Sequence, residues 1–169
     1  MCRFFHRKKF STQTIPPEVS STERLLRFIL SPLHFDKKGV LRSNAFNPTF
    51  DSNEISVTRL DYSSIKECKR LAHKMDYKDE TGKKGRSYIG FCLLNKAIAV
   101  SCGAKDVVWS PKEDNPAHAD ILLEEVRVRT DGPVPAKIQM VADMLKEQSV
   151  FFKDPNPQSN GWTGAALQF

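Results

Sequence analysis

The chain has 169 residues, 40% of them apolar and 27% charged, a composition that fits one globular domain with its own core and excludes bulk disorder. Its formal net charge is +6, yet four of its 26 basic residues are Arg3, Arg7, Lys8 and Lys9, all ahead of the first acid, Glu18. The other 22 face 20 acids, so the composition does not describe a uniformly basic surface of the nucleic-acid type.

Residues 1–19 read as a mobile basic arm. Met1 to Phe10 mixes Arg, Lys and Phe, and Ser11 to Pro17 offers neither apolar periodicity nor a helix signal. The arm lacks the apolar stretch of about 7 to 15 residues that a secretory signal requires. No uncharged run in the chain approaches the ~20 residues of a membrane span. Cys2, Cys68, Cys92 and Cys102 lack the two-residue spacing of zinc or redox motifs, so the expected setting is the cytoplasm with reduced thiols.

A single α+β domain is expected over 20–152. Ser20 and Glu23 have capping-box spacing and Leu25, Leu26, Ile29 and Leu30 follow at helical intervals, predicting a helix that Pro32 stops, with a strand as the alternative for so short a run. Asp36 to Gly39 is a turn signal. Glu54 to Leu60 alternates and is rich in β-branched residues, predicting a strand with Ile55, Val57 and Arg59 on one face. Ser64 and Glu67 form a second capping box, and the stripe Ile65, Cys68, Ala72 and Met75 predicts a helix with Lys66, Lys69, Arg70 and Lys74 toward solvent.

After a charged loop from Asp76 to Gly85, strand-like runs follow at Ser87 to Leu94, Ala97 to Cys102, Val107 to Trp109 and Asp120 to Val128. Pro135 sits at the start of a last helix, Ala136 to Gln148, with Ile138, Val141, Ala142 and Leu145 inward. Residues 153–169 are rich in breakers and read as an irregular tail. Asn95 and Lys96 are too short an interval for a helical crossover, so the fold class is α+β, a small mixed or antiparallel sheet packed by about three helices.

Three groups of residues carry candidate chemistry. His118 and Asp120 stand two apart at a strand start, on one face, where a carboxylate can orient an imidazole as a general base. Arg59, Arg42, Asn44, His34 and the loop residue Asn115 form a second set. Arg59, on the apolar face of its strand, has the fork geometry for an anion. Lys66, Lys69, Arg70 and Lys74 form a cationic stripe that fits a phosphate backbone, backed by a basic arm whose Phe4, Phe5 and Phe10 can stack on bases. Charge is segregated, eight basic to four acidic residues over Lys66 to Arg86 and three to seven over Asp106 to Asp131, a dipolar pattern suited to orientation toward a partner.

No metal-ligand spacing, Walker loop, dinucleotide turn or nucleophile elbow is present, and no cofactor is expected. The layout resembles that of small bacterial proteins, without a family motif from which residues carry over. The expectation is a small cytoplasmic binding or interaction module for an anionic ligand or a protein partner. One alternative is a metal-independent hydrolase or nuclease using His118 and Asp120. Another is a nucleic-acid-binding protein using the Lys66 to Arg86 segment.

Overall fold

The computed structural model describes residues 14–82, 85–129 and 132–168. Leu25, Leu26, Ile29 and Leu30 share one stripe if helical, but here they divide between the two faces of a strand, β1 (Arg24–Ser31). Leu25 and Ile29 enter one apolar cluster, Leu26 and Leu30 another. A segment apolar on both sides is what a strand covered on both faces requires, which explains why helical spacing misleads here. Ser20 and Glu23 still meet, Glu23 N–H donating to the Ser20 carbonyl at 3.2 Å, but they form a turn ahead of the strand.

The other strands are β2 (Ser52–Arg59), β3 (Tyr77–Lys78), β4 (Gly85–Asn95), β5 (Asp106–Trp109), β6 (His118–Arg127) and β7 (Val150–Lys153). All seven belong to one antiparallel sheet of order β3-β4-β1-β2-β6-β5, with β7 also paired to β4. The helices are α1 (Ile65–His73), α2 (Lys96–Ser101) and α3 (Ala136–Gln148). The fold is therefore α+β and mostly sheet. Among the described residues no helix is long and apolar enough to cross a membrane.

The run from Ala97 to Cys102, expected as a strand, lies almost wholly in α2. The Asn95 side chain accepts from Ile98 N–H at 2.8 Å, capping the helix, and Gly103 at φ 96° follows its end. Helices α1 and α3 fall where their apolar periodicity puts them. Ile138, Val141, Ala142 and Leu145 of α3 join the first cluster with β1, β2 and β6, while Cys68 and Ala72 of α1 join the second with Tyr88, Phe91 and Leu93 of β4.

Both ends of the domain are tied in more closely than their composition suggests. Residues 1–13 of the expected arm lie outside the described residues. Val19, the last residue but one before the turn, is buried in the first cluster, and the Pro16 and Glu18 carbonyls accept from Arg59. Beyond β7 the tail is irregular, yet Leu167 is buried and Trp162 packs on Phe91 at 5.6 Å between ring centroids.

Candidate functional site

Strand pairing brings the first candidates together. Ser56 of β2 stands opposite Asp120 of β6, and Thr58 opposite His118, so these four share a sheet face. The hairpin from β5 to β6 returns Ser110 to the same place, its N–H donating to the His118 carbonyl at 3.1 Å. His118 Nδ1 lies 2.8 Å from the Ser110 carbonyl and 2.9 Å from Ser110 Oγ. A carbonyl only accepts, so Nδ1 carries the proton. Ser110 Oγ then gives its own proton to Asp120 Oδ2 at 2.5 Å, and Ser56 Oγ donates to Asp120 Oδ1 at 3.2 Å.

This network differs from a nucleophile-and-base pair. The Ser110 proton points to the carboxylate and not to the imidazole, so His118 does not serve this hydroxyl as its base. His118 and Asp120 are 3.7 Å apart and communicate through Ser110. His118 Nε2, the nitrogen free to act on a substrate, is buried and has no hydrogen-bond partner among the described residues. Burial pushes the imidazole below its ordinary pKa, against the opposing pull of Asp120.

Of the second set, Arg59 is fully buried. Its guanidinium forks onto Glu23, Nη2 reaching Oε2 at 2.9 Å, and also donates to the Pro16 and Glu18 carbonyls while lying 4.6 Å over the Tyr62 ring. Every face of that anion clamp is occupied. His34 is buried, with Nδ1 accepting from Leu30 N–H at 3.1 Å, and burial pushes its pKa down to about 3. Arg42 is exposed, and Asn44 donates to the Leu33 carbonyl. Asn115 donates to Thr58 Oγ1 at 3.0 Å. Among the described residues no hydrogen bond or ion pair joins the His34, Arg42 and Asn44 loop to Arg59 or Asn115.

The cationic stripe is divided in the same way. Lys69, read as solvent-facing, is fully buried: its ammonium meets Asp154 at 2.7 Å, the Gly161 carbonyl at 2.7 Å and the Asn156 carbonyl at 2.9 Å. Tyr88 Oη completes this socket by donating to Asp154 at 3.0 Å. Arg70 pairs with Glu67 and donates to the Asp114 carbonyl, and Lys74 pairs with the Asp114 carboxylate. Of the four, Lys66 alone is exposed with no ion pair among the described residues. Periodicity placed Lys69 on the wrong face because a long stem and a charged tip can be buried together once a tail supplies acceptors.

A feature not anticipated from the sequence opens on the other side of the sheet. Gly103, Leu123, Ile138, Met140 and Val141 line a groove between the end of β6 and α3, rimmed by Glu124, Glu125 and Lys137, with a cavity volume of about 150 Å³. Met140 is 56% exposed, and Met144, one turn along, is 39% exposed. On the neighbouring α2, Val100 is 44% exposed. The available signal is Met140 and Met144 at i and i+4, on the face of α3 opposite Ile138, Ala142 and Leu145.

Half-buried Arg27 was also missed. Strands β1 and β2 pair only at Leu25 and Leu26, and beyond that point Arg27 bridges the gap, donating to the Ala45 and Ser56 carbonyls at 2.8 Å each. Burial lowers its pKa to about 10, which still leaves it charged at neutral pH. Among the described residues no cluster of three His, Cys, Asp or Glu side chains could hold a metal ion. Cys68, Cys92 and Cys102 are buried free thiols. Comparison with known proteins yields no match: no family model fits the sequence, and no curated protein or solved structure is significantly similar.

Proposed function

We propose that the chain is a protein-binding module that receives an apolar segment flanked by basic residues in the groove between β6 and α3. The observation that carries this reading is the groove itself, apolar within and open beside exposed Met140. A volume of about 150 Å³ holds one or two side chains and falls short of the roughly 300 Å³ at which small-molecule pockets begin. Methionine suits such a surface, since its unbranched side chain adapts to the partner. The partner's charge follows from the surroundings. On the rim Glu124 is exposed and makes no ion pair among the described residues, whereas Lys137 is paired with Glu125 at 3.2 Å. The hydrolase reading has less support, because His118 Nε2 is buried and Arg59 is already bound. The nucleic-acid reading loses Lys69, Arg70 and Lys74 to internal partners.

The test uses two fluorescein-labelled amphipathic peptides, one alternating Leu with Lys and the other Leu with Glu, read by fluorescence anisotropy. The Lys peptide is expected to bind, and Met140→Asp to weaken it at least tenfold, about 1.4 kcal/mol. Glu124→Lys is expected to shift preference toward the Glu peptide. Equal binding of both peptides, or binding indifferent to Met140→Asp, would overturn the proposal.

A further inference from the structure

The tail contains one bond with chemistry of its own. Asn160 and Gly161 are both exposed and lie in a bend, and neither the Asn160 side-chain amide nor the Gly161 N–H has a hydrogen-bond partner among the described residues. A Cβ built on Gly161 would meet nothing within 4 Å. An amide nitrogen without a neighbouring side chain can reach the carboxamide one residue back, and nothing in this fold occupies either reactant.

We propose that Asn160–Gly161 is a self-modification site whose conversion loosens the C-terminal strap. The Gly161 nitrogen, losing its proton to solvent base, attacks Asn160 Cγ. The new C–N bond closes a succinimide, the Cγ–Nδ2 bond breaks, and Nδ2 leaves as ammonia. Water then opens the ring at one of its two carbonyls, giving aspartate or isoaspartate. No oxidant or reductant takes part.

The position decides the consequence. Lys69 is held from both sides of this bond, by the Gly161 carbonyl at 2.7 Å and by Ser159 Oγ at 3.4 Å, together with Asp154 and the Asn156 carbonyl. Isoaspartate adds a methylene to the main chain between Ser159 and Gly161, which moves the Gly161 carbonyl off the buried ammonium. Trp162 follows directly and packs on Phe91, while Leu167 is buried further along. The strap covers part of the second apolar cluster, so loosening it uncovers aromatic surface on β4.

The experiment incubates the full chain, carrying Trp109→Phe so that Trp162 is the sole tryptophan, in mildly alkaline buffer beside a synthetic peptide of residues 156–166. Peptide mapping by mass spectrometry follows residue 160, and Trp162 fluorescence follows the strap. Asn160 in the folded chain is expected to convert no more than about tenfold more slowly than in the peptide, a barrier difference of one decade. Trp162 emission is expected to change in step with conversion. Gly161→Ala, for which the fold has room, should slow both changes together. Conversion in the peptide with an unchanged Asn160 in the folded chain would overturn the site, and conversion with constant Trp162 emission would overturn the loosening. Peptide binding at the β6 and α3 groove is a separate readout on the opposite face of the sheet.

Discussion

The α1 side of the sheet and the β6–α3 groove reverse the usual division of residues. On the first side the conspicuous charge lies inside: Lys69 is sealed against Asp154 beneath the tail. At the groove Met140 lies outside, with Met144 one turn along α3 and Val100 on α2 also exposed. Buried charges with every hydrogen bond made hold chain segments in place and offer nothing to a ligand. Open apolar side chains add nothing to the core and remain free for a partner. Charge therefore marks the internal fastenings of this molecule, and exposed apolar surface marks the proposed binding site.

Breaking one fastening is the sharpest attack on that contrast. Lys69→Met leaves Asp154 buried and without its cation, and a loss of roughly 3 to 5 kcal/mol is expected from an uncompensated buried charge. Urea unfolding of the variant measures it. Lys69→Met combined with Asp154→Leu should recover a large part of the loss, because the orphaned charge is then gone. A single variant that unfolds like the parent would mean that the socket is no fastening. The matching change at the groove, Met140→Asp, should move stability by about 0.5 kcal/mol or less.

A middle-sized effect comes from the buried imidazoles. His34 and His118 both have pKa values lowered chiefly by burial, His34 to about 3. The fold favours their neutral forms, while the unfolded chain takes up protons near the ordinary value of about 6.5. Their contribution is thus fully present above that value and is lost as the pH falls below it. Each histidine should remove up to about 1.4 kcal/mol per pH unit, for His34 down to about pH 3. His34→Gln retains an acceptor for Leu30 N–H and should flatten the slope of stability between pH 6.5 and pH 5. An unchanged slope would show that His34 does not drive it. The groove carries no histidine, so peptide affinity measured on the folded chain should respond far less over the same range.

How much of this was legible beforehand follows from the same contrast. Helices α1 and α3 were readable because each buries one stripe, and β2 because it alternates. Strand β1 was not, since Leu25, Leu26, Ile29 and Leu30 fit either period and only two-sided burial decides between them. Residues Ala97–Cys102 turned helical on one cap, Asn95, whose signal is no stronger than that of many loop asparagines. His118 and Asp120 do meet, as their spacing implied, but Ser110, which closes the network, is supplied by hairpin register that no local pattern encodes. Lys69 was misplaced because its acceptors lie some 85 to 92 residues away along the chain, at Asp154, Asn156 and Gly161.

The smallest effect is the most exacting test, because it lies on the same helix as the largest. Lys74 stands five residues beyond Lys69, and its ammonium meets Asp114 at 2.6 Å, closer than the Lys69 to Asp154 contact. Both side chains of the Lys74 pair are 49% exposed, whereas neither side chain of the Lys69 pair is exposed. If ion-pair distance governed stability, Lys74→Ala would cost as much as Lys69→Met. Solvent screening and the entropy of holding two long side chains argue otherwise, and an exposed pair of this kind contributes about 0.2 to 1 kcal/mol. Lys74→Ala is therefore expected to lower stability by no more than about 1 kcal/mol. The deficit should shrink further in 1 M salt, where the Debye length falls to about 3 Å. The Lys69→Met deficit should stay nearly constant in salt, since the socket excludes solvent. Equal losses, or equal salt dependence, would show that burial is not what separates the two lysines.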